Sequence, residues 1–95
     1  MKTALVTGAS RGIGKFTALE LKKKGFSVIG TATTDAGVKK LEEDGIKGYT
    51  LDLNDLNSVE HLWRQLENNN ESISVLINNA GITRDNIVLR MSDEQ

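Results

Sequence analysis

Near its start the chain carries the stretch Thr3-Ala-Leu-Val-Thr-Gly8-Ala-Ser-Arg-Gly12-Ile-Gly14, in which a short apolar run gives way to three spaced glycines. A strand-length apolar run followed by glycines and then by a helical pattern is typical of the first turn of a dinucleotide-binding α/β sheet. Each glycine removes a side chain where the backbone must turn tightly or approach a phosphate group. The stretch therefore predicts a phosphate-binding turn between a strand and a helix.

The spacing of these glycines is Gly-x-x-x-Gly-x-Gly. It differs from Gly-x-Gly-x-x-Gly and from the Gly-x-x-x-x-Gly-Lys-Ser/Thr pattern of P-loop proteins, so the turn gives no support to nucleoside triphosphate chemistry. Glycines also occur at strand-to-helix turns for purely structural reasons. By itself the triplet is a modest signal.

Four apolar segments of strand length alternate with longer helical patterns along the chain. The predicted strands are residues 3–7, 26–31, 46–51 and 73–78. This alternation predicts an α/β fold, in which a parallel sheet is connected by helical crossovers.

The first helix is predicted over residues 12–24, with Ile13, Thr17 and Leu21 on one stripe. Gly25 is its expected stop signal, and Gly45 is expected to end the second helix in the same way.

The third helix repeats apolar residues at spacings of three, four and seven, and this face is expected to cover the sheet. Its apolar residues are Val59, Leu62, Trp63 and Leu66, and the residues expected in solvent are Glu60, Arg64 and Glu67. His61 lies off the apolar stripe, so we interpret it as a surface residue in preference to a catalytic one. Residues 68–72 are predicted to form a turn.

Composition excludes several classes of function. Twelve Lys and Arg against thirteen Asp and Glu give a net charge of -1, so there is no electrostatic reason to expect nucleic acid or an anionic membrane as a partner. The chain has no cysteine and one histidine, and we expect no disulfide and no metal site. It lacks a signal-peptide core and a stretch of membrane-spanning length, so we expect a cytoplasmic location.

The chain's 95 residues suffice for one small domain, but not for a dinucleotide-binding sheet together with a substrate-binding half. The last residues, Ser92-Asp-Glu-Gln95, have the form of a capping box, as if a helix began there, although a frayed tail is the alternative. We therefore expect residues 1–95 to be the N-terminal dinucleotide-binding portion of a larger domain, truncated after the fourth strand.

The end of the second strand predicts which cofactor is bound, because a carboxylate there would accept from a ribose 2′-hydroxyl and repel a 2′-phosphate. Ala32, Thr33 and Thr34 follow the strand instead, while Arg11 offers a cation and Thr33 a hydroxyl donor. NADP is therefore favoured over NAD. Asp35 is the rival ribose ligand, although we favour its interpretation as the cap of the second helix.

Polar residues also follow the third and fourth strands. The Asp52 carboxylate has two interpretations, as an acceptor for an exocyclic amine such as that of adenine or, like Asp55, as a cap of the third helix. In Asn78-Asn79-Ala80-Gly81, amide side chains can bind the backbone of neighbouring strands, and small residues leave room for a flat ligand.

The order of these motifs is specific. Thr7-Gly8-x-x-x-Gly12-x-Gly14, an aspartate after the third strand and Asn78-Asn79-Ala80-Gly81 after the fourth resemble the short-chain dehydrogenase/reductase family, over residues 3–95. Within this family, the sequences of the glycine motif, of residues 30–33 and of residues 78–86 are similar to those of certain bacterial members. These members reduce 3-oxoacyl chains on acyl carrier protein in fatty acid synthesis.

The resemblance implies a Rossmann-type sheet with strands in the order 3-2-1-4 and an NADP site at the glycine turn. Residues 8–14 would surround the pyrophosphate, with Ser10, Arg11 and Thr33 at the adenosine end, Asp52 and Leu53 beside adenine, and Asn79 and Gly81 at the nicotinamide-side ribose. The expected cofactor-binding residues are Gly8, Ala9, Ser10, Arg11, Gly12, Ile13, Gly14, Thr33, Asp52, Leu53, Asn79, Ala80 and Gly81.

The family's chemistry uses a Tyr-x-x-x-Lys pair and an upstream serine, with the tyrosine passing a proton to the carbonyl oxygen. The single tyrosine here is Tyr49, and Leu53 stands four positions later, so we name no catalytic residue and interpret Tyr49 as a packing or edge residue. The implied function is NADPH-dependent reduction of 3-oxoacyl-(acyl carrier protein) by the intact protein, with this chain inactive alone. The alternatives are a non-catalytic NADP sensor and a reductase of another carbonyl substrate.

The family's sheet continues beyond its fourth strand, so a sheet that stops there has an open edge, which favours pairing with another chain. We expect the chain to self-associate through the fourth strand or residues 82–95, and the intact enzyme to be a homo-oligomer.

Overall fold

The computed structural model describes residues 2–79, and the fourfold alternation expected from the sequence is present in it. The elements are β1 (Thr3–Val6), α1 (Gly12–Lys23), β2 (Ser27–Ala32), α2 (Asp35–Glu43), β3 (Lys47–Thr50), α3 (Leu56–Asn68) and β4 (Val75–Ile77). Each predicted strand is found within one or two residues of its expected bounds. The capping-box residues 92–95, the segment 82–95 and the pair Ala80 and Gly81 lie outside the described residues.

The four strands form one parallel sheet in the order β3-β2-β1-β4, which confirms the predicted Rossmann-type topology. β1 pairs with β2 on one side, where Leu5 is opposite Ile29, and with β4 on the other, where Leu5 is opposite Leu76. The chain therefore builds outward from β1 in one direction and then crosses to its other side. The carboxyl end of β1 is the switch point at which open α/β sheets bind ligands.

Helices cover both faces of the sheet. On one face, Leu5 and Ile29 pack with Tyr49 and with the apolar stripe of α3. On the other, Val6 and Val28 pack with α1 and α2 through residues such as Ala18 and Leu41. Adjacent residues of β1 and β2 point to opposite cores, as the period of a strand requires. The result is a three-layer α/β/α arrangement.

Helix α3 lies as its sequence predicts. Val59, Leu62, Trp63 and Leu66 are buried, while Glu60, His61, Arg64 and Glu67 are exposed. Tyr49 is also a core residue, and its hydroxyl accepts a hydrogen bond from the Asn69 side chain at 2.8 Å. The interpretations of His61 as a surface residue and of Trp63 and Tyr49 as packing residues are confirmed.

The stripe predicted for α1 is wrong. Ile13 is 77% exposed, and the residues that face the sheet are Gly14 and Ala18, with Leu21 half-buried beside them. The first turn of α1 crosses so close to the end of β1 that only a glycine fits there, which turns the neighbouring Ile13 outward. Hydrophobic periodicity counts large apolar side chains, and it does not detect a contact made by small ones.

All three helices end in the same hydrogen-bonded motif. After α1 the amide of Phe26 donates to the Leu21 carbonyl at 3.1 Å and that of Gly25 to Lys22 at 3.1 Å, the pattern of a Schellman cap. Gly45 has a positive φ of 78° after α2, and Asn70 has one of 58° after α3. The two predicted glycine stops and the predicted turn over residues 68–72 are confirmed.

The cap of α2 is Thr34, and not Asp35 as predicted. The Thr34 hydroxyl accepts from the amide of Gly37 at 3.1 Å, and Asp35 is the first helical residue. Two residues that suit a cap are adjacent here, and the extended backbone of Thr34 decides between them. At α3 the cap is Asp55, whose carboxylate accepts from the amide of Asn57 at 2.9 Å.

Candidate functional site

The glycine turn between β1 and α1 has a backbone that requires its glycines. Gly8 and Gly12 have φ values of 63° and 64°, a region that side-chain-bearing residues adopt at a cost of about 1 kcal/mol or more. Gly14 lies at the closest approach of the helix to the turn. A Cβ at Gly14 would overlap the carbonyl of Gly8 and would lie 2.6 Å from the Asn79 Nδ2. The third glycine therefore brings α1 against the end of β1.

The turn is held to the neighbouring strand β2 by Thr31. The amide of Ala9 donates to the Thr31 carbonyl at 2.9 Å, and that of Gly8 donates to the Thr31 hydroxyl at 3.3 Å. Thr31 is 1% exposed, and the bond between its hydroxyl and the Gly8 amide is partly buried. Thr31 is not among the residues predicted to form the site, although a β-branched hydroxyl residue near the end of the strand beside the turn is a usable signal.

The asparagines after β4 hold the turn from the other side. The amide group of Asn79 donates to the Gly8 carbonyl at 3.3 Å, and the Thr7 hydroxyl donates to the Asn78 side-chain oxygen at 3.0 Å. This confirms that amide side chains of this motif bind the backbone of a neighbouring segment. The end of β1 and its turn are thus held by residues of both adjacent strands and of the segment after β4.

A cleft of about 190 Å³ opens at the carboxyl ends of β1, β2 and β3. Its lining brings together four of the predicted residues: Gly8, Thr33, Asp52 and Leu53. The Asp52 carboxylate accepts from the amide of Asn54 at 3.0 Å, so it is oriented within its own turn and does not cap α3. Asn54 also lines the cleft, although it is not among the predicted residues. Asp35, the rival ribose ligand, is not part of this lining.

The N-terminus of α1 differs from those of the other two described helices. Arg11 occupies its cap position without a side-chain hydrogen bond, and no acidic residue lies in its first turn. Helix α2 is capped by Thr34 and α3 by Asp55. The first amides of α1 carry the positive end of the helix dipole, and no side chain of α1 supplies a compensating oxygen or negative charge. An anion bound at the switch point would supply this compensating negative charge.

Ser10, Arg11 and Gly12 line a second depression next to the cleft, between the turn and α2. Most of the predicted residues therefore fall into two adjoining groups, one lining the cleft and one lining this depression. Ala9 is fully buried, Gly14 packs against the Gly8 carbonyl, and Ile13 is exposed. Asn79 lies behind the turn, in contact with Gly8.

Within residues 2–79 there is no cluster of three or more histidine, cysteine or acidic side chains placed to hold a metal ion. None of the helices in that same range is long and apolar enough to span a membrane.

The parallel sheet and its glycine turn define a dinucleotide-binding class of protein, and comparison with known proteins agrees with this assignment. The sequence model of the family described as short chain dehydrogenase matches residues 2–95. The chain belongs to this family, and the resemblance predicted from its motifs is confirmed.

Within the family, the chain is similar to several individual proteins of one name. The chain is 48% identical over 97 residues to the 3-oxoacyl-(acyl-carrier-protein) reductase FabG of Haemophilus influenzae. It is 47% identical to the protein of the same name from Buchnera aphidicola and 46% identical to that from Pseudomonas aeruginosa. In each case the match covers 99% of this chain and 40% of the relative. The chain thus spans about two fifths of the length of these relatives.

Proposed function

We propose that the chain is the NADPH-binding portion of a 3-oxoacyl-(acyl carrier protein) reductase. The observation that carries the proposal is the start of α1, where uncapped amides follow a glycine turn at the switch point of the sheet. This is the place and the electrostatic environment that a dinucleotide pyrophosphate requires. The names and the 46–48% identity of the relatives support the choice of substrate class.

The position of the cleft supports a cofactor bound along the strand ends. The pyrophosphate would lie on the amides of residues 8–14, and adenine would enter the cleft beside Asp52 and Leu53. Asn79, with Ala80 and Gly81, would support the ribose on the nicotinamide side. When bound, the cofactor would supply the hydride that reduces a ketone to an alcohol. The described residues of this chain would hold it and fix its orientation.

The preference for NADPH over NADH is proposed from charge. Thr33 is an exposed residue directly after β2, where an NAD-binding protein of this topology carries an acid. Arg11 lines the adjoining depression and brings a guanidinium, which suits bidentate recognition of a phosphate. A 2′-phosphate would therefore meet a cation and a hydroxyl donor in place of a carboxylate.

The proton donor for carbonyl reduction is not proposed within residues 2–79. Tyr49 is 8% exposed, and its hydroxyl is bonded to Asn69 on the α3 side of the sheet, so it does not line the cleft. We propose that the 95-residue chain binds cofactor without turnover, and that the intact protein is a cytoplasmic homo-oligomer that accepts its acyl chain from acyl carrier protein.

The proposal is tested by titrating the chain with NADPH and NADH and recording the nicotinamide fluorescence. We expect tighter binding of NADPH, lost in large part by Arg11→Ala, because a charge-assisted hydrogen bond contributes about 1.5–3 kcal/mol. Thr33→Asp should weaken NADPH binding and improve NADH binding. Equal affinities for both cofactors in the unchanged chain would contradict the proposed preference.

An activity assay of the chain tests whether the proton donor lies outside it. No ketone-dependent oxidation of NADPH by the 95-residue chain is expected, and turnover above background would contradict the view that the proton donor lies elsewhere. A gene that encodes residues 1–95 followed directly by a stop codon would favour a non-catalytic NADP-binding module instead.

A further inference from the structure

A groove of about 420 Å³ runs between α2 on one side and the glycine turn with the start of α1 on the other. Its lining comprises Ser10, Arg11, Gly12, Lys15, Lys40, Glu43 and Asp44. Ser10 and Arg11 are expected cofactor ligands, whereas Lys40 belongs to α2 and has no part in the glycine motif. The groove thus adds a second wall to the adenosine end of the proposed site.

Gly37 explains how α2 comes so close to the turn. A Cβ at Gly37 would lie 3.3 Å from the Ser10 Oγ and 2.6 Å from the Cβ of Ala32. The turn of α2 that contains Gly37 therefore lies against Ser10. Lys40 follows Gly37 by three residues, so it lies on the same face of the helix, one turn further along the groove.

The charged side chains that line the groove differ in whether they form ion pairs. Lys15 is paired with Asp44 at 3.4 Å between Nζ and Oδ2, so these two charges largely compensate each other. In contrast, within residues 2–79 the three ion pairs involve neither Arg11 nor Lys40. Glu43 is the remaining acid, and its charge opposes an anion here. The groove has two cations outside ion pairs and one such carboxylate.

We propose that Lys40 is a further specificity-determining residue, which attracts the 2′-phosphate of the cofactor from the α2 side of the site. This inference rests on the proposed function, because it takes the adenosine end of NADPH to lie beside Ser10 and Thr33. A phosphate there would lie between the guanidinium of Arg11 and the ammonium of Lys40. Arg11 supplies direct, geometrically defined hydrogen bonds, and Lys40 supplies a long-range attraction from a flexible stem.

The test uses two probes that need only the adenosine half of the site, adenosine 2′,5′-bisphosphate and AMP, titrated into the 95-residue chain. Lys40→Gln should weaken binding of the bisphosphate about threefold to fivefold, because a partly screened charge attracts a phosphate that carries nearly two charges. Binding of AMP should change much less. Glu43→Gln should have the opposite sign and strengthen bisphosphate binding.

Lys39→Gln is the matched control, since Lys39 is an exposed neighbour on the same helix, makes the same change in net charge and does not line the groove. The far-ultraviolet circular dichroism of each variant establishes that the fold is retained. Raising the salt concentration should reduce the difference between Lys40→Gln and Lys39→Gln.

The outcomes separate the two proposals. If the unchanged chain prefers the bisphosphate and Arg11→Ala abolishes that preference, but Lys40→Gln behaves like Lys39→Gln, then the role of Lys40 is overturned and the proposed function stands. If the unchanged chain binds both probes equally, or neither, then the proposed cofactor preference fails and the role of Lys40 fails with it.

Discussion

At the scale of single residues, the shape of the proposed site depends on contacts that leave no room for a methyl group. Gly14 lies against the Gly8 carbonyl, and the Asn79 side chain bonds that same carbonyl. Thr31 holds the turn from the opposite strand. The first turn of α1 is therefore aligned with the switch point by backbone contacts, and the orientation of its amides is a consequence of packing.

Gly14→Ala tests this alignment. In an ordinary helix position the change would stabilise the chain, because alanine is the better helix former by about 1 kcal/mol. Here we expect a loss of about 2 kcal/mol in the free energy of unfolding, since the new methyl group overlaps the turn. Urea unfolding monitored by circular dichroism measures it, with Ile13→Ala at the adjacent exposed position as the control. A variant as stable as the unchanged chain would contradict the close packing.

At the scale of elements, the sequence predicts the elements that have a regular hydrophobic period, but it does not predict the contacts between small or distant residues. The strands, their order and the buried face of α3 follow from hydrophobic periodicity and from the family's motifs. The stripe of α1 does not, because the buried residues of this helix are Gly14 and Ala18, which hydropathy hardly registers. The pairing of the Gly8 amide with Thr31 lies equally outside periodicity, because it joins residues that are distant in sequence.

The capping residue of α2 is also not predicted by hydrophobic periodicity, and its identity can be tested by substitution. Thr34→Ala should lower the free energy of unfolding by about 1 kcal/mol, because it removes the acceptor for the Gly37 amide. Asp35→Ala removes a favourable interaction with the helix dipole and should have a smaller effect, of about 0.3–1 kcal/mol at low salt. Thermal unfolding of both variants compares them. A larger loss for Asp35→Ala would mean that Asp35 is the cap.

Helix α3 stabilises the face of the sheet that it covers. Leu62 is fully buried, so Leu62→Ala should reduce the free energy of unfolding by about 2–5 kcal/mol. His61→Ala, at the exposed neighbouring position, should change it by less than about 0.5 kcal/mol. Chemical denaturation of the two variants is the measurement. Similar effects at both positions would contradict the assignment of the buried face.

At the scale of the whole molecule, the described sheet has β3 and β4 as its edge strands. β4 has three residues, all of them half-buried, and its pairing within residues 2–79 is with β1 on one side. Such an edge offers unpaired backbone groups to a second copy of the chain. This edge supports the prediction of self-association.

Multi-angle light scattering at micromolar concentration measures that association. We expect a mass above that of one 10.4 kDa chain, falling on dilution. A substitution of Val75 by lysine at the edge should shift the population towards the monomer, because a charge at a sheet edge opposes pairing. A monodisperse monomer at all concentrations would contradict the prediction.

The central claim is that the glycine turn and the first amides of α1 receive the phosphates of the cofactor. Its most direct test is a titration of the isotopically labelled chain with NADPH, followed by amide chemical shifts in nuclear magnetic resonance spectra. We expect the largest shifts at residues 8–14, with smaller ones at Thr33, Asp52 and Leu53. Shifts concentrated on the outer face of α3, with the signals of residues 8–14 unmoved, would contradict it.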